Sequence, residues 1–277
     1  MVRFCMNEMT TFRWSFEEDV QQYVSQGIRA ISVWRPKLSD YGEDKGIELL
    51  QEAGLEVASL LWAGGFTGSD GRSYRECVTD AKEAIRVAAA MKADCLLLYS
   101  GPRGGHTINH ARRLLRNALR DLLPLAEENE VTLALEPMHE GCAADWTFLT
   151  DVHETIGLIN EFASPRLRLA FDTYHFGFNR CLVDRIAELV PAIAIVQLGD
   201  GRCAPQGEQS RCRLGEGVLP LQELVANLLQ AGYRGYFDVE LMGEEIENGD
   251  YRELLQHSKS TFEGWCEPQP ESCPTSR

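Results

Sequence analysis

Residues 167–177 read LRLAFDTYHFG. Leu167, Leu169, Ala170 and Phe171 make an apolar, β-prone run that stops at Asp172, with His175 three positions on and Gly177 closing the stretch. It reads as a buried strand that surfaces at its carboxyl end. A carboxylate at such a point is costly to desolvate unless a cation or a hydrogen-bond network receives it, so Asp172 needs a partner. Three other strand-like runs end in an oxygen-bearing side chain: VTLALEP at Glu136, AIAIVQLGD at Gln197 and GYFDVELMG at Glu240. Four oxygen ligands from four strand ends describe a site for a hard divalent cation.

Outward from this stretch, short apolar runs alternate with amphipathic ones along the whole chain. Strands are expected near 2–7, 28–34, 55–61, 94–99, 131–136, 167–172, 193–198 and 235–241. Helix-period segments lie near 16–26, 43–53, 72–92, 107–129, 150–161, 180–190, 219–231 and 250–265. Gly27, Gly54 and Gly232 each follow a helical stretch and precede a strand, the usual helix-stop position. Eight strand-then-helix units make a (β/α)8 TIM barrel of the α/β class, a single domain over 1–266. An open doubly wound sheet would want a glycine-rich turn after its first strand, and NEMTTFR has no glycine. Residues 267–277, EPQPESCPTSR, are rich in Pro and Ser and are expected to be a disordered tail.

Barrel strands present their carboxyl ends to one face, so Glu136, Asp172, Gln197 and Glu240, ending the fifth to eighth strands, are expected to meet there. Each alone reads as an ordinary polar strand cap; four in succession read as a metal site. Three carboxylates and an amide oxygen suit Mg2+ or Mn2+, with Zn2+ or Co2+ as softer alternatives. His175 would lie over the ion, where a neutral imidazole can donate to a substrate oxygen or move a proton, or else simply packs. His139 is a weaker version of the same case, and His106, in SGPRGGHT, could face the pocket. The long glycine-rich segment 199–220 carries Arg202, Arg211 and Arg213; arginine there could hold a carboxylate, phosphate or keto-sugar oxygen. Trp34 and Trp62 sit at strand ends, where they could wall a sugar-sized pocket or cap the core.

Composition narrows the partners. A net charge of −15 disfavours a sequence-independent grip on nucleic acid. The nine cysteines are odd in number, scattered and never spaced as CxxC, which fits neither a disulfide framework nor a thiolate zinc site and points to a reducing cytoplasm. No basic-then-apolar leader opens the chain and no apolar run approaches a membrane span, so an untargeted protein with no membrane partner is expected.

With these residues in place, the chain resembles the xylose isomerase-like family of sugar (phosphate) isomerases and epimerases. The resemblance rests on LALEPMH, LAFDTYHFG, IVQLGDG, LGEGVLP and AGYRGYFDVEL occurring in that order. It implies a metal-dependent barrel that abstracts a proton next to a carbonyl, with the metal holding the enediolate. By the same resemblance, Glu136, Asp172, Gln197 and Glu240 are the metal ligands, Glu136 and Glu240 double as acid and base, and His175 contacts substrate. The chain departs at Gln197, where epimerases similar to D-tagatose 3-epimerase have histidine and 3-dehydroshikimate dehydratases have glutamine. The related abasic-site endonucleases need a histidine-rich zinc cluster that six histidines in these positions do not supply. The expected activity is isomerisation or epimerisation of a small keto-sugar-like substrate. A metal-dependent lyase or dehydratase is the alternative, and a non-catalytic sugar-binding barrel a third reading. Barrels of this family often pair, which makes a homo-oligomer an open expectation.

Overall fold

A computed structural model describes residues 2–207 and 209–267; residues 268–277 of the expected tail lie outside the described residues. Eight strands, β1 Arg3–Asn7, β2 Ala30–Trp34, β3 Glu56–Gly64, β4 Cys95–Tyr99, β5 Thr132–Leu135, β6 Leu167–Asp172, β7 Ile193–Leu198 and β8 Tyr236–Val239, follow the alternation in the sequence. All neighbours pair in parallel, and β8 closes back on β1. The (β/α)8 barrel expected from the sequence is the fold found.

Side chains alternate along each strand, and the two faces bury different residues. Leu169, Phe171, Val196, Leu198, Phe237 and Val239 pack outward into the layer between strands and helices. Cys5, Ala58, Cys95, Ala134, Ala170 and Ile195 fill the narrower interior. The inward parity of Ala134, Ala170 and Ile195 continues to Glu136, Asp172 and Gln197, and that of Tyr236 to Asp238 and Glu240. Register does the rest: Asp172 pairs with Gln197 across β6 and β7, and Gln197 with Asp238 across β7 and β8.

Helix starts carry their own signals. Ser15 and Ser73 each form a reciprocal capping box, with Glu18 and Glu76 respectively, and Thr107, Asp151 and Asp250 accept from first-turn amides. Two segments differ from expectation. Arg35–Tyr41 is an additional helix running straight out of β2, with a proline in its first turn, where the missing N–H costs nothing. The segment expected as one helix over 180–190 splits into single turns, Arg180–Val183 and Ile186–Leu189, because Arg185 between them leaves the helical region. Among the described residues, no helix is long and apolar enough to cross a membrane.

Candidate active site

At the carboxyl ends of the strands, Glu136, Asp172, His175, Gln197, Arg211 and Glu240 are all buried. One ligand atom from each of Glu136, Asp172 and His175 lies within 4.8 Å of the others. Gln197 donates its amide N–H to Glu240 Oε2. Arg211, from the loop after β7, reaches between the strands: Nη2 donates to Asp172 Oδ2 at 2.8 Å, Nη1 donates to the Glu240 carbonyl at 2.8 Å, and Nη1 stands 3.8 Å from Glu240 Oε2. Its guanidinium lies over the Tyr174 ring at 4.7 Å, and Gln209 Oε1 accepts from Nε and Nη2.

The electrostatics follow from crowding. Burial, then the charges of Glu240 and Asp172, push the Glu136 carboxyl well above its ordinary range. Burial likewise pushes Glu240 up to about 8, against the pull of Arg211. His175 goes the other way: burial holds it down to about 4, so its imidazole is neutral at pH 7. Its Nδ1 is 3.4 Å from Cys142 Sγ and its Nε2 is 3.7 Å from Asp172 Oδ2.

The residues present fit a divalent ion. Glu136 Oε2, Gln197 Oε1 and His175 Nε2 are buried with no hydrogen-bond partner among the described residues, a costly state for three polar atoms unless something else receives them. The three carboxylates, once ionised, exceed the single guanidinium by two negative charges, the deficit a divalent cation fills.

A cavity of about 440 Å³ opens on this cluster, with Glu136 and Glu240 among its lining residues. Trp62, Trp146, Met9, Met138 and Met242 supply much of the rest, and the two indole rings stand 5.7 Å apart, tilted by 52°. A larger hollow of about 780 Å³ lies at the amino end of the barrel, lined by Arg3, Arg166, Arg168 and Arg234, opposite the end where barrels of this kind do their chemistry.

Of the residues singled out from the sequence, Glu136, Asp172, His175, Gln197, Arg211 and Glu240 come together, and Trp62 lines the cavity. The others stand elsewhere. Arg202 pairs with Glu245 at the surface. Trp34 packs on Phe12 at 5.4 Å, its backbone N–H donating to Glu8 Oε2. His106 bonds through Nε2 to the Thr67 carbonyl and stacks on His110. His139 Nδ1 accepts from the Gly141 amide and lines a neighbouring hollow. Trp146, Asp145 and Gln209 were not anticipated. They sit on the loops after β5 and β7, and the length of those loops was the available signal.

Among characterised proteins, the chain is 27% identical over 207 residues to D-psicose 3-epimerase of Enterocloster bolteae, an alignment spanning 72% of this chain and 63% of that enzyme. It is 24% identical to inosose isomerase of Halalkalibacterium halodurans over 94% of this chain and 95% of that one. A solved Sinorhizobium meliloti structure superposes with a TM-score of 0.88 at 26% identity, covering 96% of this chain and 99% of that one. The family model described as the xylose isomerase-like TIM barrel matches residues 20–261, and the chain belongs to that family.

Proposed function

We propose that the protein is a divalent-metal-dependent isomerase or epimerase of a small polyhydroxylated carbonyl compound, in which Glu136 and Glu240 move the proton. One observation carries this reading: of the buried carboxylates gathered at the strand ends, Glu136 and Glu240 are the two that line the cavity, and burial raises the proton affinity of both. A carboxylate of ordinary pKa is a weak base, and one raised toward the working pH is better matched to taking a proton from carbon. Glu136 and Glu240 follow β5 and β8, three strands apart around the barrel, and would approach a substrate between them from different sides. Return of the proton to the opposite face of the same carbon gives an epimer; return to the neighbouring carbon gives an isomer.

Glu136, Asp172, Gln197 and Glu240 would hold the ion, and their oxygen donors favour Mg2+ or Mn2+. His175 Nε2 in place of one oxygen would turn the preference toward Zn2+ or Co2+. The ion, when bound, supplies a Lewis acid that polarises the substrate carbonyl. Arg211 orients Asp172 and holds the Gln209 side chain against the cavity wall. His175, neutral at pH 7, lies behind the cavity lining with Nε2 3.7 Å from Asp172 Oδ2, so its place is beside the proposed ion and not against substrate. We assign no substrate contact to Arg202, Trp34, His106 or His139, none of which lines the cavity. The epimerase and isomerase among the relatives support proton transfer over elimination.

The test is solvent deuterium uptake by polyhydroxylated ketones incubated with Mn2+-loaded protein and followed by NMR. Exchange at the carbon beside the carbonyl, without loss of water or alcohol, is the expected result. A conjugated product absorbing in the ultraviolet would make the protein a lyase, and no exchange in any ketone would leave a binding protein.

A further inference from the structure

The residues lining the cavity offer different things to charged and to uncharged groups. Among the described residues, its charged lining residues are all acids: Glu136 and Glu240 at the strand ends, and Asp145, exposed on the loop after β5. Three arginines nearby are committed elsewhere. Arg211 is buried and bound to Asp172, Gln209 and the Glu240 carbonyl. Arg202 faces outward onto Glu245, and Arg72 is held by Asp70, Asp80 and the Tyr99 hydroxyl. A phosphate dianion recruits such groups as bidentate donors; in this cavity it would meet carboxylates instead.

What the cavity offers in place of cations is suited to hydroxyl groups and C–H faces. Gln209 gives its carbonyl oxygen to Arg211, which leaves the amide N–H2 as a donor at the wall. Trp62 contributes its ring and not its N–H, since Nε1 is buried away from the cavity. Asp145 accepts from hydroxyls. The Trp62–Trp146 pair, with Met9, Met138 and Met242, forms an apolar wall of the kind against which the C–H face of a polyol packs.

We infer that the site takes an uncharged, unphosphorylated polyhydroxy ketone, its C–H face on Trp62 and Trp146 and its hydroxyls shared between Asp145 and the Gln209 amide. This rests on the proton-transfer reading for the chemistry, while the selection against phosphate stands on the cavity lining alone. Specificity of this kind comes from an unfavourable element facing the wrong ligand as much as from contacts to the right one. Asp145 is that element, being, among the described residues, the one carboxylate in the lining that stands apart from the proposed ion site.

The experiment compares free linear and cyclic polyhydroxy ketones with phosphate esters of the same sugars on Mn2+-loaded protein, reading binding by calorimetry and C–H exchange by NMR in D2O. A free ketone is expected to bind at least about tenfold more tightly than its ester. Trp146→Ala is expected to weaken free-ketone binding about fivefold, and Asp145→Lys to narrow or reverse the discrimination, with Asp145→Asn narrowing it less. An ester that binds and exchanges better than the free sugar would overturn the substrate class and leave the proton-transfer reading standing. Binding of the free sugar without exchange in either series would sink the proton-transfer reading and leave the substrate class supported, and binding of neither would remove both.

Discussion

Arg211 and Glu240 set the terms at the scale of single residues. A guanidinium driven into the barrel mouth satisfies Asp172 directly yet leaves Glu136 and Glu240 with raised proton affinity, so the ion-free cluster stores protons that a divalent ion displaces. Calorimetric Mn2+ titration near pH 7 in buffers of different ionisation enthalpy should therefore show at least about one proton released; heat independent of the buffer would contradict this. Stability follows with a definite sign. The folded Glu240 carboxyl titrates at about 8 against an ordinary 4.5, so in that window the folded state holds a proton the unfolded chain has lost, and the ion-free protein should become less stable as pH rises through it. Glu240→Gln should flatten that slope in thermal melts and lower turnover by about 10²–10⁴-fold with the fold intact. Near-normal turnover would remove Glu240 as a proton carrier. Glu136, Asp172, Gln197 and Glu240 were legible in the sequence because each ends an apolar run at inward parity, a pattern that a strand makes visible one residue at a time. Asp145 and Gln209 were not, because loop side chains obey no such period.

Among the elements, the loop 199–220 delivers Gln209 and Arg211 to the site, and it is organised by one buried carboxylate. Asp200 accepts from the backbone amides of Gly201, Gly215, Gly217 and Leu219, which makes LGEGV a structural turn and not an anion cradle. A Cβ at Gly217 would collide with the Asp200 carboxylate. Asp200→Ala should cost about 3 kcal/mol by leaving several buried N–H groups without an acceptor, and should also raise KM as Gln209 and Arg211 lose their placement. Denaturant unfolding that shows a loss under about 1 kcal/mol would mean that water replaces the carboxylate. The elements themselves were largely readable: hydrophobic period marked all eight strands, and capping serines opened the helices at Phe16 and Tyr74. The helix Arg35–Tyr41 escaped because only two of its residues, Lys37 and Leu38, are buried, too few for a period to show. The break at Arg185 escaped because it lies in tertiary placement and not in propensity.

For the whole molecule, closure of the barrel is what turns four separate strand caps into one cluster. Glu136 and Glu240 are 104 positions apart in the chain, and each would be an ordinary polar end in an open sheet. Because the proposed ion site exists only in the closed barrel, a bound ion must stabilise the fold as a unit: at a free concentration about 100 times its Kd it should add about 2.7 kcal/mol. A thermal midpoint unmoved by Mg2+, Mn2+, Zn2+ and Co2+ would argue against the site. The most direct test is anomalous diffraction at the manganese edge from crystals soaked in Mn2+. One strong peak enclosed by Glu136, Asp172, Gln197 and Glu240 is expected, with Arg211 still seated against Asp172; no peak there at saturating Mn2+, with those side chains ordered, would rule out the ion site.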